Sequence, residues 1–303
     1  MRKTMVVVGG TGAQGGSVVK ALSSNPNYLI RVITRDTTSV HAKALEAANC
    51  ELQQVDLNQP EGLKAAFHDA YGIFAVTNFW DRETRLNEYE QGKAMVRAAR
   101  EAGIQHFIWS TLPDYEALSN GKYNVPHFTS KARVDLDVKK AGFTYTTFVE
   151  APFYFQNFHT IFAPQQNENG ERLWRLPLDP HQCSFHCADI GELGLIVRAA
   201  LDNPQLAGNE NYLPLSAGIY NWQKLIDILN DQGHRICFEQ IPAEGYDKKF
   251  PSAREFRQMM EFWQEFDYFG PNSSAKLALV KKLIPKGFTS FEQWSLKNMP
   301  AKC

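Results

Sequence analysis

The run Met5-Val6-Val7-Val8-Gly9-Gly10-Thr11-Gly12-Ala13-Gln14-Gly15-Gly16 joins a β-branched stretch, a glycine turn and a helix start. That order builds an anion site, because it aims the free backbone N–H groups of a helix N-terminus at a dinucleotide pyrophosphate. Gly9 is expected to permit the tight turn, Gly12 to let the backbone approach phosphate without a Cβ, and Gly15 to bring the helix close to the strand. The spacing is G-x-x-G-x-x-G. A glycine-rich connection with no ligand is the alternative, and the flanking strand and helix patterns argue against it. Further on, Val32-Ile33-Thr34-Arg35-Asp36 places Arg35 where a second strand should end. In the dinucleotide fold an acid at that point holds the ribose of NAD and a base accommodates the 2′-phosphate of NADP. A guanidinium fork binds phosphate bidentately, so Arg35 favours NADP(H); the acid, Asp36, comes one residue late. The alternative for Arg35 is a solvated surface cation.

A second concentration of chemistry is His181-Gln182-Cys183-Ser184-Phe185-His186-Cys187, the raw material of a zinc site. If Ser184 to Ala188 is a strand, Cys183 and Cys187 share one face and His186 points to the other, so packed thiols are expected and no metal. The aromatic group Phe148, Phe153, Tyr154, Phe155, Phe158 and Phe162 is expected partly to wall a pocket and partly to fill core. Phe256, Met259, Met260, Trp263 and Phe266 recur at helical spacing, which suits either buried packing or an interaction face.

The elements that must position these residues are legible as periodicities. Strand-like runs fall at residues 5–8, 29–34, 51–55, 73–77, 106–110 and 145–149, with helix-like stretches at 14–24 and 85–102 between them. Pro60 offers a first-turn proline for a helix through Leu63, Ala66 and Phe67, and Gly103 closes the longer helix. Alternation at this spacing means βαβ units, an α/β fold with a doubly wound parallel sheet. Residues 1–152 with about 183–206 are expected to form the dinucleotide-binding domain. Residues 153–182 and 207–303 are expected to form a smaller α+β lobe, with helices near 222–229, 252–265 and 290–296 and a loop-rich stretch at 159–180.

Composition narrows the function classes. In 303 residues, 32 Lys+Arg against 33 Asp+Glu give a formal charge of -1, not the basic excess that nucleic acid demands. No apolar run has the length of a membrane span, and Met1-Arg2-Lys3-Thr4 leads directly into a strand, so no membrane partner and a cytoplasmic location are expected. For a eukaryotic regulator a nuclear location stays open. Five scattered cysteines suggest reduced thiols.

Taken together, residues 6–18, Thr34-Arg35, Val76-Thr77-Asn78-Phe79-Trp80, Gln91-Gly92-Lys93, His127-Phe128-x-x-Lys131 and Pro152-x-Tyr154-Phe155-Gln156-Asn157 resemble the NmrA-like family, atypical relatives of the short-chain dehydrogenases. Phe250-Pro251-x-Ala253-Arg254 and Phe291-Glu292-Gln293-Trp294 extend the likeness over nearly the whole chain, and the NADPH-sensor type often called HSCARG is the most similar. The resemblance implies that Gly9, Gly10, Thr11, Gly12, Ala13, Gln14 and Gly15 hold the pyrophosphate, Arg35 the 2′-phosphate, and Asp56 with Leu57 the adenine. It further implies that Thr77, Asn78 and Phe79 border the nicotinamide half, that Lys131 contacts the ribose, and that Tyr154, Phe155, Gln156 and Asn157 close over the ring. Thr37, Thr38 and Ser39 are neutral where the family carries more basic residues.

A standard reductase of this superfamily has Tyr-x-x-x-Lys after the fifth strand, the lysine lowering the tyrosine pKa so that it can act as acid. Here His127 stands at the tyrosine position, ahead of Lys131, and Ser110 ends the fifth strand where a substrate-orienting hydroxyl would sit. A lysine neighbour would push His127 toward its neutral form, a poorer proton source. Pro126 starts the helix too late for Tyr123 to take over. The resemblance implies an NADP(H)-binding redox sensor or regulator, which the missing tyrosine supports, with a regulatory protein partner and a homodimer left open. The competing expectation is an NADPH-dependent oxidoreductase of a quinone or another small carbonyl or imine, using Ser110, His127 and Lys131.

Overall fold

The computed structural model describes residues 2–300, and of residues 82–86 only the backbone. Cys303 and the side chain of Leu86 lie outside the described residues. The β-branched and aromatic runs form β1 (Lys3–Val8), β2 (Tyr28–Thr34), β3 (Glu51–Gln54), β4 (Gly72–Ala75), β5 (His106–Thr111) and β6 (Tyr145–Glu150). The helices among them are α1 (Ala13–Ser23), α2 (Val40–Ala47), α3 (Leu63–Phe67), α4 (Arg82–Glu101), α5 (Tyr115–Leu118) and α6 (Pro126–Ala141). All six strands pair in parallel, in the spatial order β3, β2, β1, β4, β5, β6. Both faces are covered, which is why β4 and β5 are buried along their whole length. The order reverses between β1 and β4, so the loops after these strands diverge and leave a crevice at their C-terminal ends.

The sheet has a seventh strand, Asn209–Pro214, parallel to β6. The sequence had suggested a place in the smaller lobe for this segment. Its punctuation, Pro204 before and Pro214 at its end, brackets a strand that covers the otherwise open edge of β6 and buries Leu213. A further helix, α7 (Leu193–Asp202), lies across α1 so closely that a Cβ on Gly194 would stand 2.1 Å from the Ser17 carbonyl oxygen.

Most of the remaining residues build a second core rich in aromatic rings, fed by the helices Trp222–Asp231, Ala253–Glu265 and Phe291–Asn298, whereas the helix Ser273–Leu283, expected in the smaller lobe, packs on the core of the sheet through Val280. The 159–180 stretch, expected as loop, contains the strand Arg172–Leu176, which pairs with Ile236–Gln240 and with Gln165–Gln166. It buries Leu173, Trp174 and Leu176, but its main partner comes much later in the chain, beyond the reach of a local pattern. The Cys/His segment disperses its side chains: the Cys183 thiol points to the Met260 carbonyl at 3.5 Å, and His186 Nδ1 lies 2.7 Å from Ser216 Oγ. Burial pushes the thiols of Cys183 and Cys187 up, away from thiolate.

Candidate functional site

A cavity of about 840 Å³ follows the crevice from the end of β2 to the second core. Its phosphate end is the glycine turn. Gly9 has φ +65°, a left-handed conformation that a side chain would strain, and its carbonyl accepts from Gly12 N–H at 2.9 Å. A Cβ on Gly15 would stand 2.2 Å from the Gly9 carbonyl oxygen, so α1 can begin here only on glycine. Gly12 is the N-cap of α1 and supplies no side-chain cap, leaving the first helical N–H groups for a ligand. Thr11, Gly12, Ala13, Gln14 and Gly15 line the cavity, while Gly10 does not, since its backbone is backed by Val32 and Val19.

At the β2 end the cavity is bordered by Arg35, Asp36 and Ser39, and at the β3 end by Asp56, Leu57 and Asn58. The Asp36 carboxylate turns away to accept from Thr38 N–H at 2.7 Å and Thr38 Oγ1 at 2.6 Å, and these bonds lower its pKa. Arg35 reaches across the crevice instead, with Nη1 3.0 Å from Asp81 Oδ2.

The central part is held by Lys131, on α6. Its Nζ donates to the Thr77 carbonyl and to Thr77 Oγ1, each at 2.9 Å, and to Glu88 Oε1 at 2.7 Å. Glu88 also accepts from Thr77 Oγ1 and from Ser130 Oγ. His127, in the first turn of α6, is pinned by Glu255. Oε1 of Glu255 lies 2.6 Å from His127 Nδ1 and accepts from the His127 backbone N–H at 2.9 Å. A carboxylate partner fixes Nδ1 as the protonated nitrogen and leaves Nε2 as the nitrogen that can meet a ligand. The charged group against His127 is thus an acid from the second core and not Lys131, as the sequence had suggested. Tyr123 bonds to Glu265 at 2.6 Å and does not line the cavity.

Ser110 donates to Gln14 Oε1 at 2.6 Å, and Gln14 Nε2 donates to the Tyr154 hydroxyl at 2.8 Å, so one amide ties β5 to the segment after β6. Burial pushes the Tyr154 phenol well up. Of the four residues expected to close over the ring, Tyr154 and Asn157 face the cavity, whereas Phe155 and Gln156 do not. The cause is the 3-10 helix Phe155–His159, whose three-residue period places positions 154 and 157 on one side. Phe155 is fully buried in the second core, and Gln156 bonds to Asp189 at 2.6 Å. Beyond them the cavity ends in an apolar chamber of Phe79, Trp80, Phe128, Phe162, Phe256 and Met259.

Thr77, Asn78, Phe79, Ser110, His127 and Lys131 therefore line the same cavity. Sequence reasoning missed Glu88, Glu255 and Asp81. The first two left a trace: Glu88 lies at helical spacing with Gln91, Met95 and Ala99, and Glu255 with Met259 and Phe262, so each is an acid on a stripe that faces inward. Asp81 left none.

The chain is 29% identical over 309 residues to an NmrA-like family domain-containing protein of Dictyostelium discoideum, covering 98% of each. It is 32% identical over 289 residues to the NmrA-like family domain-containing oxidoreductase notA of an Aspergillus species, covering 88% of this chain and 84% of that one. Among solved structures, NmrA, a negative transcriptional regulator in complex with NADP, superimposes with a TM-score of 0.80 at 22% identity, over 98% of this chain and 95% of that one. The NmrA-like family pattern runs through residues 1–295, and the chain belongs to that family.

Proposed function

We propose that this chain is an NADP(H)-binding regulator of the sensor type, whose crevice reads the cofactor and does not run tyrosine-dependent carbonyl reduction. The observation that carries the reading is the engagement of the reductase positions: His127 is tied to Glu255, and Lys131 to Thr77 and Glu88. The residues present fit a dinucleotide. The uncapped start of α1 suits the pyrophosphate, Arg35 the 2′-phosphate, and Asp56 with Leu57 the adenine. When bound, the nicotinamide supplies a hydride donor or acceptor. The chain's own groups would orient it between Thr77 to Phe79 and Tyr154 with Asn157, and exclude water with the aromatic chamber.

A second reading, reduction of a flat acceptor such as a quinone or an imine, is favoured by that chamber and by the place of His127 in the cavity lining. That notA is an oxidoreductase and NmrA a negative transcriptional regulator supports one reading each. The two are separated by NADPH consumption across a carbonyl, quinone and imine panel, with cofactor binding followed by calorimetry. Binding with absent or very slow turnover of plain aldehydes and ketones is expected, since loss of a general acid lowers rates by about 10² to 10⁴. Ordinary turnover of a plain ketone, on the order of 10 per second, overturns the regulatory reading.

A further inference from the structure

The Arg35–Asp81 pair joins two loops that the topology keeps apart, one after β2 and one between β4 and α4. Both residues line the cavity, at the end where the adenosine ribose belongs if the crevice holds NADP(H), and the inference rests on that reading. Among the described residues the cations on the cavity wall are Arg35 and Lys131, and Lys131 is already bonded to Glu88 and Thr77. Arg35 is thus the group left to meet a 2′-phosphate, and Asp81 holds it. The neighbouring acid, Asp36, is committed to Thr38 and does not compete.

We propose that Asp81 is a specificity-determining residue: an internal competitor that occupies the Arg35 guanidinium until a 2′-phosphate displaces it. A phosphate dianion and a carboxylate cannot share one guanidinium without mutual repulsion, and the phosphate carries the larger charge. A cofactor without the 2′-phosphate leaves the pair intact. Displacement has a mechanical consequence, because Asp81 closes the turn that begins at Asn78. Asp81 N–H donates to the Asn78 carbonyl and Trp80 N–H to Asn78 Oδ1, each at 3.3 Å. Trp80 is half exposed and stacks on Phe256 of the helix Ala253–Glu265, with ring centroids 5.2 Å apart and an interplanar angle of 11°. Its ring also lies 5.0 Å from that of His127. Releasing Asp81 therefore loosens the residue that connects the adenosine end of the crevice to the second core, and the chain converts the presence of one phosphate into movement at Trp80.

The test uses ligands without a nicotinamide, 2′,5′-ADP and 5′-AMP, titrated by calorimetry and by tryptophan emission. An exposed ion pair is worth up to about fivefold in an equilibrium constant, so Asp81→Asn should tighten 2′,5′-ADP by about two- to fivefold and leave 5′-AMP unchanged. In an Arg35→Ala background the same substitution should have no effect on 2′,5′-ADP. Emission should change with 2′,5′-ADP and not with 5′-AMP, the Trp80→Phe variant should lack that change, and Asp81→Asn should show it before ligand is added. Equal effects of Asp81→Asn on both ligands, no effect on either, or an undiminished effect without Arg35 would each overturn the proposal. If the unmodified protein binds neither ligand, the cofactor reading fails and the competitor with it. If it prefers 2′,5′-ADP while Asp81→Asn changes nothing, the cofactor reading survives and the competitor alone is wrong.

Discussion

Arg35 and Lys131 each meet a carboxylate, and the two pairs differ in solvent access, hence in consequence. The Lys131 and Glu88 side chains are 9% and 1% exposed, so removing one partner strands a charge in a dry place. Glu88→Met should lower the unfolding free energy by about 3–5 kcal/mol, and Glu88→Met with Lys131→Met should cost less than Glu88→Met alone; urea denaturation of the variants measures both. The Arg35 side chain is 60% exposed, and its role is in binding. NADPH should bind more tightly than NADH by about ten- to hundredfold, the range of a charge-assisted phosphate contact, and Arg35→Asp should narrow or invert the gap. Equal calorimetric affinities in the unmodified protein would refute this. Arg35 was legible because its position follows from the glycine turn and a strand length. Glu88 and Glu255 were faint because an acid in an amphipathic helix ordinarily faces water, and only the completed packing shows that these two do not.

Among elements, the strands were readable where both faces are buried, since Val6-Val7-Val8 or Phe107-Ile108-Trp109 admits few other conformations. Arg172–Leu176 was not, because Arg172 and Arg175 break up its short buried run. The start of α1 depends on a single absent atom. Gly15→Ala sets a Cβ against the Gly9 carbonyl, and since backbone cannot yield as a side chain does, about 1–3 kcal/mol of stability should be lost, with cofactor affinity falling further than stability accounts for. Thermal melts with and without NADPH separate the two losses. Where α6 meets the sheet, Asp135 accepts from Thr111 at 2.7 Å and from Tyr212 at 2.9 Å, and burial pushes its pKa up to about 7. The native state then holds a proton that the unfolded state, near 3.8, releases. The stability this provides is full below about pH 4 and is lost as pH rises through about 7. Asp135→Asn should therefore flatten the change in urea midpoint between about pH 5 and 8; an unchanged slope would show that Asp135 does not titrate there.

For the molecule as a whole, a ligand acts as a signal only if it favours one arrangement over another. A dinucleotide between the sheet and the second core should order residues 36–43, 79–90 and 154–166. A regulatory partner or second subunit that prefers the open arrangement would be released as NADPH rises and would weaken NADPH binding by the same factor. Hydrogen exchange should show greater protection of these segments with NADPH than with NADH at equal saturation; identical protection in free and NADPH-saturated protein would exclude the mechanism. The strand Asn209–Pro214 bears on the life of the chain before it is complete. During synthesis β6 emerges well ahead of its outer neighbour, so while residues 151–208 are being added the growing protein presents a bare parallel edge backed by Phe148 and Val149. A ribosome that stalls in this interval holds a nearly finished sheet whose exposed side can recruit strands from neighbouring chains. Slowed translation or reduced chaperone access over those codons should thus lower the yield of this protein.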